Sequence, residues 1–202
     1  MNLRNYIEQK KGVFQSLLLR KSKTKKTVKQ LKKEIKASEE AHIIICSIAK
    51  ETQKQIQYQI SSLVTLALKS VFPEPYEFKA EFVMKRNKTE CSIFFLKNGK
   101  KFDPMTEVGG GVLDVASFAL RVSMWALSGV NDNILLLDEP FKNINDDTSE
   151  LHRKIAELTK EVSEKLNLQI IIISMIPELR EVADRVIFIR KKRGVSLKEN
   201  GR

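Results

Sequence analysis

Hydrophobic and polar positions divide the chain into two unlike parts. In the first, apolar residues recur at Val28, Leu31, Ile35, Ile45, Ala49, Ile56, Leu63 and Leu66. This alternating three-and-four spacing is that of a coiled-coil seam, interrupted at Ser38, His42, Thr52 and Gln59. Residues 15–70 contain neither proline nor glycine, so one long helix is expected over them. At about 1.5 Å per residue such a helix would reach about 80 Å. It could not pack along a small domain for its whole length, so the seam implies a partner helix.

The pattern changes after Pro73 and Pro75. Residues 77–85 and 90–97 read as two strands, and Asn98-Gly99 after the second is a hairpin turn signal. Residues 112–127 form an apolar, small-residue helix whose only charges are Asp114 and Arg121. Residues 133–137 and 169–174, built on the unbroken apolar runs 134–137 and 170–173, read as short buried strands. Between them, residues 146–166 read as an amphipathic helix, with Asp146 and Asp147 suited to its positive N-terminus. A short helix over 177–184 and a third strand over 185–190 complete the series. Strands alternating with helices predict an α/β fold with a mostly parallel sheet covered by helices. The expected organisation is a helical, coiled-coil arm over 1–70 and a compact lobe over 71–202.

Charge sharpens this division. The net charge is +11, but residues 1–70 hold 15 Lys/Arg against 5 Asp/Glu, and the rest is nearly balanced. Residues 20–33 carry eight positive charges and no negative one, at Arg20, Lys21, Lys23, Lys25, Lys26, Lys29, Lys32 and Lys33. Two readings stand: a solvated helix face, or contact with DNA phosphates that is sequence-independent and salt-sensitive. No aromatic residues interleave with these charges, so base recognition is not indicated. A second basic cluster, Arg190 to Arg193, reads as a solvated tail or a further DNA contact. Two cysteines 45 residues apart make neither a disulfide framework nor a zinc set. No uninterrupted apolar run approaches the ~20 residues that span a bilayer, and the first residues do not read as a signal peptide. The expectation is a reducing, cytoplasmic setting and no membrane partner.

Candidate chemistry concentrates at Leu135-Leu136-Leu137-Asp138-Glu139-Pro140, an apolar strand ending in two adjacent acids. It is either a strand with an acidic turn or a rigid mount for carboxylates. As a mount, the first acid suits Mg²⁺, which prefers oxygen ligands. The second can polarise a water for attack on a phosphate. Gly109-Gly110-Gly111 precedes a helix: a flexible turn, or a loop whose backbone N–H groups can meet an anion. Both features, with Ser174, fall where ligands of such sheets bind, beyond the carboxyl ends of the strands.

These residues carry a resemblance. ILLLDEP resembles the Walker B strand of ABC-type ATPases. With the basic helix, the glycine triplet and the following segments, it resembles the C-terminal lobe of SMC-like, SbcC-type ATPases of DNA double-strand-break repair, and the ATPase subunits of phage recombination exonucleases. The resemblance covers roughly residues 20–193 and is compositional in the arm. It implies the C-terminal half of an ABC-type ATPase head after a coiled-coil helix, with ATP and Mg²⁺ as cofactors. Asp138 would order the magnesium and Glu139 would act as general base. Residues 141–145, including Asn143 and Asn145, match the D-loop that links paired sites, with Asn145 where the family has aspartate. Residues 108–112 match the signature motif that contacts nucleotide on a second ATPase head. Gly109 stands in place of its serine and Val112 in place of its acid. Met175 takes the place of the switch histidine and cannot donate its hydrogen bond. His152 is not expected to substitute.

A P-loop needs two glycines five positions apart, and no two of the eight glycines are so spaced. The resemblance puts that loop in an N-terminal lobe. A P-loop-bearing partner polypeptide, a second head, DNA and a nuclease subunit are therefore the expected partners, with ATP hydrolysis only in a composite head. The competing expectation, motivated by Gly109, Met175 and the missing P-loop, is a non-hydrolysing DNA-binding or interaction module.

Overall fold

The computed structural model describes residues 3–86, 88–129, 132–145, 149–192 and 195–200. Asp146, Asp147 and Arg193, named above, lie outside them. The chain divides into two compact units, Met1–Gln53 and Lys54–Arg202. Helix α1, Leu3–Val71, begins well before residue 15, because Gly12 does not interrupt it. In the first unit the seam residues Val28, Leu31, Ile35 and Ile45 are exposed, and so is every residue of 20–33.

In the second unit the end of α1 buries Val64, Ala67, Leu68 and Val71 in the core. Strands β1 (Glu77–Lys85), β2 (Lys88–Lys97) and β3 (Lys100–Phe102) form an antiparallel meander. Asn98 and Gly99 take φ of 52° and 73°, the two positive values of a type I′ hairpin turn. Three α1 side chains accept hydrogen bonds from alternate β1 amides. Phe78 N–H donates to Thr65 Oγ1 at 3.0 Å, Ala80 N–H to Ser61 Oγ at 3.1 Å and Phe82 N–H to Gln57 Oε1 at 3.5 Å. The match is metric: four helical residues rise about 6 Å and two strand residues about 6.8 Å. Tyr76, Phe78, Phe95 and Phe102 stack edge-to-face beneath this sheet, with ring centroids 5.5–6.0 Å apart.

Helix α2, Gly110–Ser128, turns Val115, Ala116, Phe118 and Ala119 into the core and ends at Gly129, whose φ of 64° suits glycine. By length and mean hydropathy it is apolar enough to cross a membrane. Counting only uninterrupted apolar runs does not register this, because Asp114 and Arg121 divide the helix. Next come β4 (Ile134–Asp138), α3 (Glu150–Leu166), β5 (Gln169–Ile173), α4 (Pro177–Val182), β6 (Ile187–Lys192) and β7 (Val195–Asn200). β4 and β5 pair in parallel, with Leu135 opposite Ile170, Leu137 opposite Ile172 and Asp138 opposite Ile173. The third expected strand, β6, does not join them. It pairs antiparallel with β7, its neighbour in sequence.

The unbroken apolar strands are not buried on both faces, contrary to expectation. Leu135, Leu137, Ile170 and Ile172 belong to the core or pack against it. Leu136 and Ile173 are 68% and 64% exposed, with Ile134 and Ile171 exposed beside them. Among the described residues, helices cover one side of this sheet.

Candidate functional site

Alternation along β4 places Ile134, Leu136 and Asp138 on the uncovered face. Asp138 therefore ends that face, beside Ile173, with its side chain exposed. Glu139 is held at the strand tip by its N–H, which donates to Ile173 O at 2.9 Å. Its φ of 43° is in the left-handed region, sparsely used by residues with a Cβ. The turn is sustained from both sides: by the β5 carbonyl, and by Phe141, fully buried and edge-to-face with Phe118 of α2 at 5.4 Å. Two acids thus leave the strand in different directions, the first on the sheet face and the second at a tight turn.

This donor set fits Mg²⁺ in one specific way. Mg²⁺ keeps several waters and takes one or two carboxylates together with substrate phosphates. An exposed carboxylate at a strand tip can be such a contributor. Among the described residues no group of three or more His, Cys, Asp or Glu could hold an ion unaided.

The glycine triplet meets the loop after Glu139. Gly109 caps α2 without a side-chain bond, and a Cβ there would have open space. Gly110 and Gly111 differ: a Cβ on Gly110 would lie 2.8 Å from Asn143 Cβ, and one on Gly111 would lie 3.1 Å from Ile144 Cγ1. Their lack of a side chain lets residues 143–144 lie directly on the helix start. Asp114, one turn in, clamps the same loop. Its Oδ2 accepts from Asn143 N–H at 2.8 Å and its Oδ1 from Asn143 Nδ2 at 3.1 Å. Asp114 is a site residue that sequence reasoning missed; its signal was an acid near the start of an otherwise apolar helix.

Beyond β5, Ser174 Oγ accepts from Ile176 N–H at 3.2 Å, and Met175 is 83% exposed. On α3, His152 Nε2 lies 3.1 Å from Ile144 O, and its Nδ1 lies 3.8 Å from Glu178 Oε2 of α4. The structure therefore brings Gly110, Gly111 and Asn143 into contact and sets Asp138 and Glu139 together beside Ile173. Asn145 is exposed at the end of the loop. Lys21, Lys23, Lys25, Lys26, Lys29, Lys32 and Lys33 belong to the other unit, exposed along α1.

No protein-family model matches the chain. In sequence it is 31% identical over 112 residues to the DNA double-strand break repair Rad50 ATPase of Archaeoglobus fulgidus. That match takes in 55% of this chain and 12% of the relative, so the chain spans a small part of that protein's length. In fold it is similar to the Smc head domain with a coiled coil and joint from Pyrococcus yayanosii, with a TM-score of 0.61 and 19% identity, over 85% of this chain and 33% of that one. A solved structure from work on ATP-driven dimerization and DNA-stimulated activation of SMC ATPases matches at a TM-score of 0.56 and 17% identity, over 76% of this chain and 89% of that one. The parallel β4–β5 pair, the long N-terminal helix and these likenesses together give the chain the fold of the C-terminal lobe of an SMC-like ATPase head.

Proposed function

We propose that the chain is the C-terminal lobe of an SMC-like ATPase of DNA recombination or repair, completing an ATP·Mg site with a P-loop-bearing N-terminal lobe on a partner chain. The observation that carries this reading is the uncovered apolar face of β4–β5, which ends in Asp138. Parallel sheets are normally covered on both faces, and a contiguous exposed apolar surface marks a binding surface. A lobe seated on Leu136, Ile171 and Ile173 would bring its phosphate loop to Asp138. There Asp138 would hold Mg²⁺ directly or through water, and Glu139 would orient and deprotonate the attacking water. The bound ion would neutralise charge on the phosphates. Gly109 to Gly111 would present the α2 N-terminus to nucleotide on a second head, with Asn143 and Asn145 on the loop between the paired sites. The relative is named as a DNA double-strand break repair ATPase, which supports DNA as a partner; Lys21 to Lys33 would be its contacts, on the strength of their unbroken positive charge. A nuclease subunit is a further partner in this reading.

The test is reconstitution with a P-loop lobe and measurement of ATP hydrolysis. Activity should appear only in the mixture, and Glu139→Gln should lower kcat about 10²–10⁴-fold, the usual size of a general-base contribution. Activity that ignores Glu139→Gln sinks the assignment. Gly109→Ser, for which there is open space, should raise kcat by restoring a hydroxyl donor. The second reading, a non-hydrolysing DNA-binding module, draws on Gly109 and on Met175, which cannot donate to a phosphate. It predicts binding of duplex DNA that falls steeply with salt. Binding indifferent to neutralising Lys21 to Lys33 would count against it.

A further inference from the structure

We infer that His152 is a positioning residue that ties the loop 141–145 to the segment 174–179, so that displacement of either is felt by the other. Two contacts of one side chain carry this. Its Nε2 lies 3.1 Å from Ile144 O. A carbonyl oxygen only accepts, so Nε2 bears the proton and the tautomer is fixed. The other ring nitrogen then faces Glu178 Oε2 of α4 at 3.8 Å, a packing contact beyond hydrogen-bond distance. The two side chains are only 17% and 15% exposed. The ring thus fills the space between the loop and α4, hydrogen-bonded to the first and packed against the second, so neither can move into its place while it stays.

The chain of contacts continues past the histidine. Ile144 is buried, and its Cγ1 lies 3.1 Å from where a Cβ on Gly111 would be. Beside it Asn143 is pinned to Asp114. One packed series therefore runs from the start of α2, through residues 143–144 and His152, to α4, which follows Met175. His152 touches neither Asp138 nor Glu139 in this series. It acts through the loops on either side of them. Contiguous packing alone does not prove coupling, so the experiment reads coupling directly. The linkage rests on geometry; only its consequence for catalysis rests on the ATPase reading above.

The 202-residue chain is followed by hydrogen–deuterium exchange of amides in 141–145 and 174–179. His152→Ala should speed exchange in both segments by about fivefold, the loss expected of one hydrogen bond. Glu178→Gln, on the far side of the ring, gives the bare Nδ1 a donor and should slow exchange in 141–145 as well. His152→Gln keeps a donor on the Ile144 side and should restore protection of 141–145 but not of 174–179; it also serves if the alanine variant fails to fold. Exchange changes confined to the mutated residue's own segment overturn the linkage. In the reconstituted ATPase, His152→Gln should lower kcat several-fold and leave KM for ATP within about twofold, a split that follows from misplacement rather than lost binding. An unchanged kcat overturns the positioning role. A wild-type mixture without ATPase activity sinks the functional reading, and exchange still decides the linkage.

Discussion

Two sheets of the second unit each turn one face to the core and one outward, and the outward faces differ in kind. On β1 the outward positions are Glu77, Lys79, Glu81, Val83 and Lys85, all but one charged, with Lys79 and Glu77 paired at 3.5 Å. Phe94, opposite Lys79, is shielded by the Lys101 ammonium 3.5 Å from its ring. On β4 and β5 the outward positions are Ile134, Leu136, Ile171 and Ile173, all exposed. The first sheet is finished by its own chain. The second is finished on one side and holds its acids on the other. The difference teaches that the unit folds around one core and still presents an apolar wall beside its candidate chemistry.

Substitutions on the two sheets can break or sharpen this contrast. The largest effect is expected from Phe95→Ala in the aromatic cluster of the first sheet, about 3–5 kcal/mol of stability lost by urea unfolding. Leu137→Ala, on the covered face of the second sheet and 3% exposed, should cost about 2–5 kcal/mol in the same measurement. A cost below about 1 kcal/mol there would mean that the covered face is not packed as described. Asp114→Ala leaves the Asn143 amides without their acceptor and should cost about 1–2 kcal/mol. It should also raise proteolysis at residues 141–145. Ser61→Ala on α1 removes one acceptor of the β1 amides, with a melting-point loss equivalent to about 0.5–1.5 kcal/mol. Leu136→Lys, two residues before Asp138, should change the stability of the chain by no more than about 0.5 kcal/mol. It should nevertheless abolish co-purification with a P-loop lobe, and retention of that complex would refute the uncovered face as the docking surface.

Much of this architecture was legible in residue order. Asn98-Gly99 announced its turn, the 4-3 spacing announced α1, and the apolar run into Asp138-Glu139 announced a strand with acids at its tip. Other features left no local trace. An unbroken apolar run looks the same whether one or both of its faces are covered, so the exposure of Leu136 and Ile173 could not be read. The clamp between Asp114 and Asn143 joins residues 29 apart, and the bond from His152 to Ile144 crosses a loop. Both are products of tertiary packing. The positive φ of Glu139 is also a tertiary effect, since the β5 carbonyl and the anchored Phe141 help to hold it. Gly110 and Gly111 were read as phosphate contacts; their neighbours show a packing requirement that holds without nucleotide.

The ladder from Gln57, Ser61 and Thr65 to β1 has a consequence for self-association. A strand at the margin of a sheet offers free amides on which another chain can add itself, a route to aggregation. Here the helix takes the amides of Phe78, Ala80 and Phe82 and stands in for the next strand. The opposite margin is β3, three residues long and carrying Lys100 and Lys101. A template so short and so basic gives an incoming strand little to hold, so this sheet is closed to growth at both ends.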